Sequence, residues 1–194
     1  MRYRARIQWL RLLLSASLFL GASAGAAPPS GHIVGSYSDQ QLAAIKSFTL
    51  PRVFLYDEHG TLIPQDRWPA ALQGFKKHAG DAFCCVSDKP AAPGSSGPPP
   101  DCKVIYYGTS VLANFKGLRG SSGQLISYDR LPAHKYLLVE YFAAWCQPCV
   151  SGRKVLEAFF ASPAQAKDFL WVSIDMTRLA EVQKPARTKS SGQR

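Results

Sequence analysis

The stretch that most constrains this chain is Tyr136–Phe160. Tyr136 to Phe142 form a nearly continuous apolar run interrupted by one carboxylate, Glu140. Such a run predicts a strand buried on both faces. Trp145-Cys146-Gln147-Pro148-Cys149 follows, and then apolar residues return at helical spacing. At 100° per residue, Cys149, Gly152, Leu156, Phe159 and Phe160 share one face, while Arg153, Lys154 and Glu157 look away from it. The helix stops at Ser162-Pro163, and Phe169–Asp175 reads as a second buried strand. Strand, helix and strand at this spacing predict a parallel pair joined by a crossover, hence an α/β fold.

The cysteine pair at the strand–helix junction has a definite chemistry. A cysteine at a helix start feels unpaired N–H groups and the positive end of the dipole, which favour its thiolate. Two intervening residues let a second sulfur close a small disulfide ring, and Pro148 fits the first turn, where no N–H is needed. Cys146 is then the attacking thiol and Cys149 the resolving one. The competing readings are a structural disulfide and half of a metal site. Zinc would need two further ligands; Cys84, Cys85 and Cys102 are present, but no second C-x-x-C accompanies them, so no metal is expected. Val150 rather than His follows Cys149, which excludes a haem attachment.

Gly117–Met176 resembles the thioredoxin superfamily, and within it the periplasmic thioredoxin-like thiol–disulfide oxidoreductases. The likeness is carried by Gly123-Gln-Leu-Ile-Ser-Tyr-Asp-Arg-Leu131, then the apolar strand and W-C-x-P-C, roughly a third of the chain. The resemblance implies redox-active Cys146 and Cys149 supported by Trp145 and Pro148. Protein thiols or disulfides would be the substrates, with an unidentified redox partner and no cofactor. Glu140, six residues before Cys146, stands where thioredoxins carry a buried Asp that manages the resolving cysteine's proton. Burial would raise its pKa and suit it to proton transfer; the alternative is a carboxylate at a solvated sheet rim.

Beyond Met176 the chain departs from that pattern, which continues with a helix, a loop whose cis-proline faces the redox cysteines, two antiparallel strands and a last helix. Only 18 residues remain. Thr177–Val182 has room for a helical turn or two, and no strand follows Pro185. The expectation is therefore an incomplete thioredoxin-like fold with an N-terminal β-rich extension. One side of the sheet and the substrate groove would be absent, unless upstream strands cover that edge.

Arg2, Arg4, Arg6 and Arg11 precede the apolar Leu12–Leu20, and Ala24-Gly25-Ala26 supplies small residues at a cleavage position. This describes a signal peptide over 1–26, the alternative being an uncleaved anchor. Export would place the protein in a periplasmic or secreted, oxidising compartment with no membrane anchor after cleavage. The formal charge of +10 includes the four signal arginines. Without them nineteen basic residues face thirteen acidic ones, and four of those cations lie in the acid-free tail from Lys184 to Arg194. Charge so distributed gives no reason to expect nucleic acid, and the aromatics read as core, with no basic groove for stacked bases. The expected organisation is a strand and loop region over 27–116, the partial thioredoxin-like domain over 117–182, and a disordered basic tail over 183–194.

Upstream, Ser38–Phe48 has helical spacing, and Val53–Tyr56, a turn at Gly60, and Leu62-Ile63 read as a hairpin. A short helix is expected over Arg67–His78, an irregular loop over Lys89–Asp101, and a strand over Lys103–Gly108; Val111–Leu118 is either strand or helix. Cys102 is expected to pair with Cys84 or Cys85, pinning that loop by roughly 3 kcal/mol. His32, His59, His78 and His134 show no ligand spacing and read as surface residues. Residues 60–70 match 123–133 at seven of eleven positions. Either an ancient duplication or the common needs of strand–turn segments explains that echo, and unrelated backbones would remove the first. Two functions stay open: exported thiol–disulfide exchange, or a degenerate thioredoxin-like chain acting as a binding or structural module. Exchange requires sulfurs held close together that another sulfur can reach.

Overall fold

The computed structural model describes residues 31–72, 75, 84–87 and 110–183. The proposed signal peptide, residues 73, 74 and 76–78 of the helix expected to end at His78, the loop expected over 89–101, Cys102, the strand expected at 103–108 and the tail from 184 lie outside the described residues.

The chain is mixed α/β, as the spacing predicts. β1 (His32–Ser36), β3 (Arg52–Asp57), β5 (Tyr136–Phe142) and β6 (Phe169–Asp175) form one sheet in the order β1-β6-β5-β3. β1, β6 and β5 run parallel, and β3 is antiparallel to β5. β5 and β6 occupy the centre, where apolar residues are needed on both faces, and their five middle positions are all buried. α3 (Gln147–Phe160) joins them, followed by α4 (Pro163–Ala166); α5 (Leu179–Val182) follows β6. Leu137, Val139 and Tyr141 pack on one face, with Leu42 of α1 (Asp39–Ala43) and with Val111 and Phe115 of α2 (Val111–Phe115). Leu138 and Trp171 pack on the other, with Leu156, Phe159 and Phe160 of α3.

Both sheet edges are supplied from upstream. β1 lies beside β6, and β3 takes the side of β5 that the sequence left open. Segments 27–116 and 117–182 therefore share one sheet. Immediately before β3 the Leu50–Pro51 peptide bond is cis. β2 (Ser47–Leu50) pairs antiparallel with β4 (Cys84–Ser87) in a separate ribbon that sets Leu50 opposite Cys84.

The helix expected over Ser38–Phe48 is shorter. Ser38 and Gln41 form a capping box, but the helix ends at Ala43 and Phe48 lies in β2, where its ring meets Tyr141 at 5.3 Å. Strand pairing and aromatic packing outweigh helical spacing there. Val111–Phe115 resolves as a helix, and Asn114 ties it to the sheet. The Asn114 amide donates to Tyr56 Oη (2.8 Å), Tyr141 Oη donates to Asn114 Oδ1 (2.7 Å), and Tyr37 Oη donates to the Asn114 carbonyl (2.8 Å). The hairpin at Gly60 has a single bridge, Tyr56 to Leu62, in place of a second strand, and 3₁₀ turns occupy 65–67 and 70–72.

The echo between 60–70 and 123–133 extends to the backbone. Gly60 and Gly123 both have positive φ, 77° and 82°. Leu62 and Leu125 each make one antiparallel bridge, and 3₁₀ turns follow at 65–67 and 128–130. The N–H of Ile63 donates to Leu55 O as that of Ile126 does to Leu118 O. The duplication reading thus passes the backbone condition that unrelated geometry would have failed.

Candidate redox site

Cys146 is the N-cap of α3, in extended conformation at φ −93° and ψ 102°, with Pro148 in the first turn. Its N–H donates to Ala143 O (3.1 Å) and its carbonyl accepts from Val150 N–H (3.1 Å). The loop before it is held from the far end of β6. Ala144 N–H donates to Thr177 Oγ1 (3.0 Å), and the Trp145 indole donates to Thr177 O (2.9 Å). Trp145 is 37% exposed and marks the surface above the cysteines.

Cys146 is joined to Cys84 in a disulfide, with Cα atoms 5.8 Å apart, so of the two expected pairings Cys84–Cys102 gives way, while Cys85–Cys102 involves a residue outside the described ones; Cys146 is bonded in this state. Among the described residues Cys149 is a free thiol, and it is buried. Neither residue is open to a partner in this state, at 0% and 1% exposure. Cys84, Cys146 and Cys149 nevertheless belong to one packed cluster, and cysteines three apart at a helix start lie on the same side. Burial pushes the Cys149 thiol up to about 11; a backbone hydrogen bond from Ala143 opposes this, and the Glu140 charge adds to it.

Glu140 is a buried group, 1% exposed, and not a rim carboxylate. Its Oε2 accepts from Ser173 Oγ (3.0 Å) and from the Trp171 indole N–H (3.2 Å). Burial raises its pKa from 4.5 to about 7, against Arg153 and these two hydrogen bonds. Arg153 lies over the Phe142 ring at 3.9 Å and the Trp171 ring at 5.5 Å.

Two participants escaped the sequence reading. Cys84 gave no sign of its partner, because the pairing depends on the β2–β4 ribbon. His32 reads as a surface residue by spacing, yet its ring stacks on Trp171 with centroids 3.7 Å apart, and its Nε2 lies 2.9 Å from Ser173 Oγ. A signal existed for Ser173. It is the polar residue in the middle of an apolar strand, as Glu140 is in its own, and the two are register partners.

A cavity of about 350 Å³ lies at β3, lined by Val53, Phe54, Leu55, Ile63 and Trp68 among others, and none of the site residues borders it. Among the described residues no group of three or more His, Cys, Asp or Glu stands together as a metal site, and no helix is long and apolar enough to cross a membrane. Searches against protein-family models, curated proteins and solved structures give no match to this chain.

Proposed function

We propose that this is an exported thioredoxin-like protein that carries out thiol–disulfide exchange at Cys146. The observation that carries the reading is the placing of Cys146 at the N-terminus of α3, already in a disulfide, with a free thiol one turn further on. The thioredoxin-like reading gains support from the sheet. β5 and β6 run parallel with α3 between them, β3 lies antiparallel beside β5, and Leu50 pairs with Cys84, the residue bonded to Cys146.

Exchange starts within the chain. The Cys149 thiol gives its proton to Glu140, and the thiolate attacks Cys146 Sγ. The Cys84–Cys146 bond breaks, Cys84 leaves as a thiolate, and a Cys146–Cys149 disulfide forms with no net oxidation. This frees β4 from its covalent tie, and a substrate thiolate can then attack Cys146. The partner's potential sets whether the protein ends oxidised or reduced.

The test is insulin reduction and thiol titration on the chain without residues 1–26. Cys146→Ser abolishes turnover, and Cys149→Ser, reduced beforehand to open the Cys84–Cys146 bond, accumulates mixed disulfides with substrate. Absence of turnover in the wild type, with two unreactive sulfurs, would instead support the second reading, a structural disulfide in a non-catalytic binding module. The burial of both sulfurs is the observation that favours that reading.

A further inference from the structure

Glu140 is 1% exposed and Ser173 fully buried, so a proton reaching or leaving this carboxylate must pass through hydrogen-bonded groups. Of the two groups bonded to Glu140 Oε2, the Trp171 indole only donates, so a proton line ends there. The Ser173 hydroxyl both donates and accepts, and His32 Nε2 lies 2.9 Å beyond it. Arg153, on α3, acts on both Glu140 and His32 through its charge, and its guanidinium offers only donors. Glu157, also on α3, lies 3.5 Å from Arg153 and acts on Glu140 by charge alone. From β3, the register partner of Glu140 is Val53, which does not titrate. Cys149 is the remaining titratable group coupled to the carboxylate. The conducting route therefore runs from Glu140 across β6 to edge strand β1, where the half-buried His32 stands two residues from Val34, the register partner of Ser173 and 44% exposed.

We propose that Ser173 and His32 form a proton line that loads and empties Glu140 from solvent, and so paces proton removal from Cys149. The inference rests on the reading of Glu140 as proton acceptor for that thiol. In the loading direction a solvent proton binds His32 Nδ1. The proton on Nε2 passes to Ser173 Oγ, and the hydroxyl proton passes to Glu140 Oε2. The imidazole is left as the other tautomer. Emptying reverses each transfer and restores the first tautomer, so the atoms balance over one load and one release. Burial and Arg153 lower the His32 pKa to about 4, so the ring stays neutral near pH 7 and offers one N–H and one lone pair, as a relay requires.

The test follows protonation of Glu140 directly, in the full chain, by the infrared band of its protonated carboxyl after a pH jump; Glu140→Gln identifies the band. His32→Ala slows the relaxation by roughly a hundredfold, the lower end of what general acid–base groups supply, and added imidazole restores it in proportion to concentration. Ser173→Ala slows it as much, but imidazole does not restore it, because the break lies inside the sheet. Should loss of the stack on Trp171 unfold His32→Ala, His32→Phe keeps the ring contact and shows the same slowing. Wild-type relaxation in His32→Ala or His32→Phe, or slowing of folded His32→Ala that imidazole leaves unchanged, overturns the proposal. Insulin turnover, measured beside it, reports on the parent reading separately: an inactive protein with an intact relay condemns the exchange and not the line.

Discussion

Glu140→Gln separates the electrostatic cost of the buried carboxylate from everything else at the site. Glutamine keeps the shape and an oxygen that accepts from Ser173 and Trp171, and removes the charge. The folded state holds the Glu140 proton to about pH 7, whereas the ordinary value is 4.5. Between these values the folded chain binds more protons than the unfolded one, so this group's contribution to stability falls as pH rises. At about 1.4 kcal/mol per pH unit, the full loss above pH 7 amounts to about 3 kcal/mol. His32 works in the opposite sense. Its folded pKa is lowered to about 4 from 6.5, so its contribution grows as pH rises through that window, and the two partly cancel in the wild type. The measurement is therefore a difference: urea unfolding of wild type and Glu140→Gln from pH 4 to 9, both oxidised and both retaining His32. Wild-type stability relative to the variant should fall by about 3 kcal/mol between pH 4.5 and 8, equivalent to roughly 6–12 °C in Tm for a domain of this size. A flat difference curve, or one that rises with pH, would refute the assignment of a buried, proton-retaining carboxylate.

Peptide mapping without reduction should recover Cys84 linked to Cys146, and Cys84→Ser should lower stability by about 4 kcal/mol, the chain-entropy value for a loop closed across 62 residues. Alkylation of Cys149 in the oxidised native protein should rise with pH towards 11 and, at neutral pH, run about a hundredfold slower than for an ordinary thiol; rapid labelling of Cys149 at pH 7 would contradict its burial. Gly60→Ala and Gly123→Ala impose the same left-handed strain, but a Cβ on Gly60 would stand 2.7 Å from Val111 Cγ1 while one on Gly123 meets nothing within 4 Å. Thermal unfolding should show Gly123→Ala costing about 1 kcal/mol and Gly60→Ala clearly more.

The β5–α3–β6 unit was legible because its periodicity is local. Six apolar residues around one carboxylate, a proline in the first turn and helical spacing from Cys149 to Phe160 each dictate their own element. Glu140 was legible for the same reason, as the carboxylate in an apolar run. The Cys84–Cys146 pairing was not, since it depends on Leu50 meeting Cys84 across a ribbon, and 33 residues separate those strands with no spacing rule to join them. His32 looks like a surface residue in the sequence because one histidine in a five-residue edge strand has no periodicity to place it. Its partner Trp171 lies 139 residues away. Leu42, Ile45 and Phe48 keep helical spacing, while the contacts that settle the conformation of Phe48, Tyr141 and Arg52, come from β5 and β3.

The order of the sheet explains how the β5–β6 pair finds cover for both of its edges. A parallel pair such as β5 and β6, apolar on both faces, exposes unpaired backbone at each edge unless neighbours are found. In this chain the neighbours precede the pair: β1 closes the β6 edge over five register pairs and β3 the β5 edge over six. The same arrangement brings chemistry from upstream to both ends of the site. β1 delivers His32 to the Ser173–Glu140 line, while the turn into β3 carries the ribbon that seats Cys84 against Cys146. Cleavage on both sides of β4, between β3 and β4 and again between β4 and α2, would test the covalent part of this. Two nicks there leave the β4 fragment covalently attached only through Cys84 under oxidising conditions, and adding a reductant should release it. Retention after reduction would mean that packing against the core, and not the disulfide, holds β4 over the cysteines.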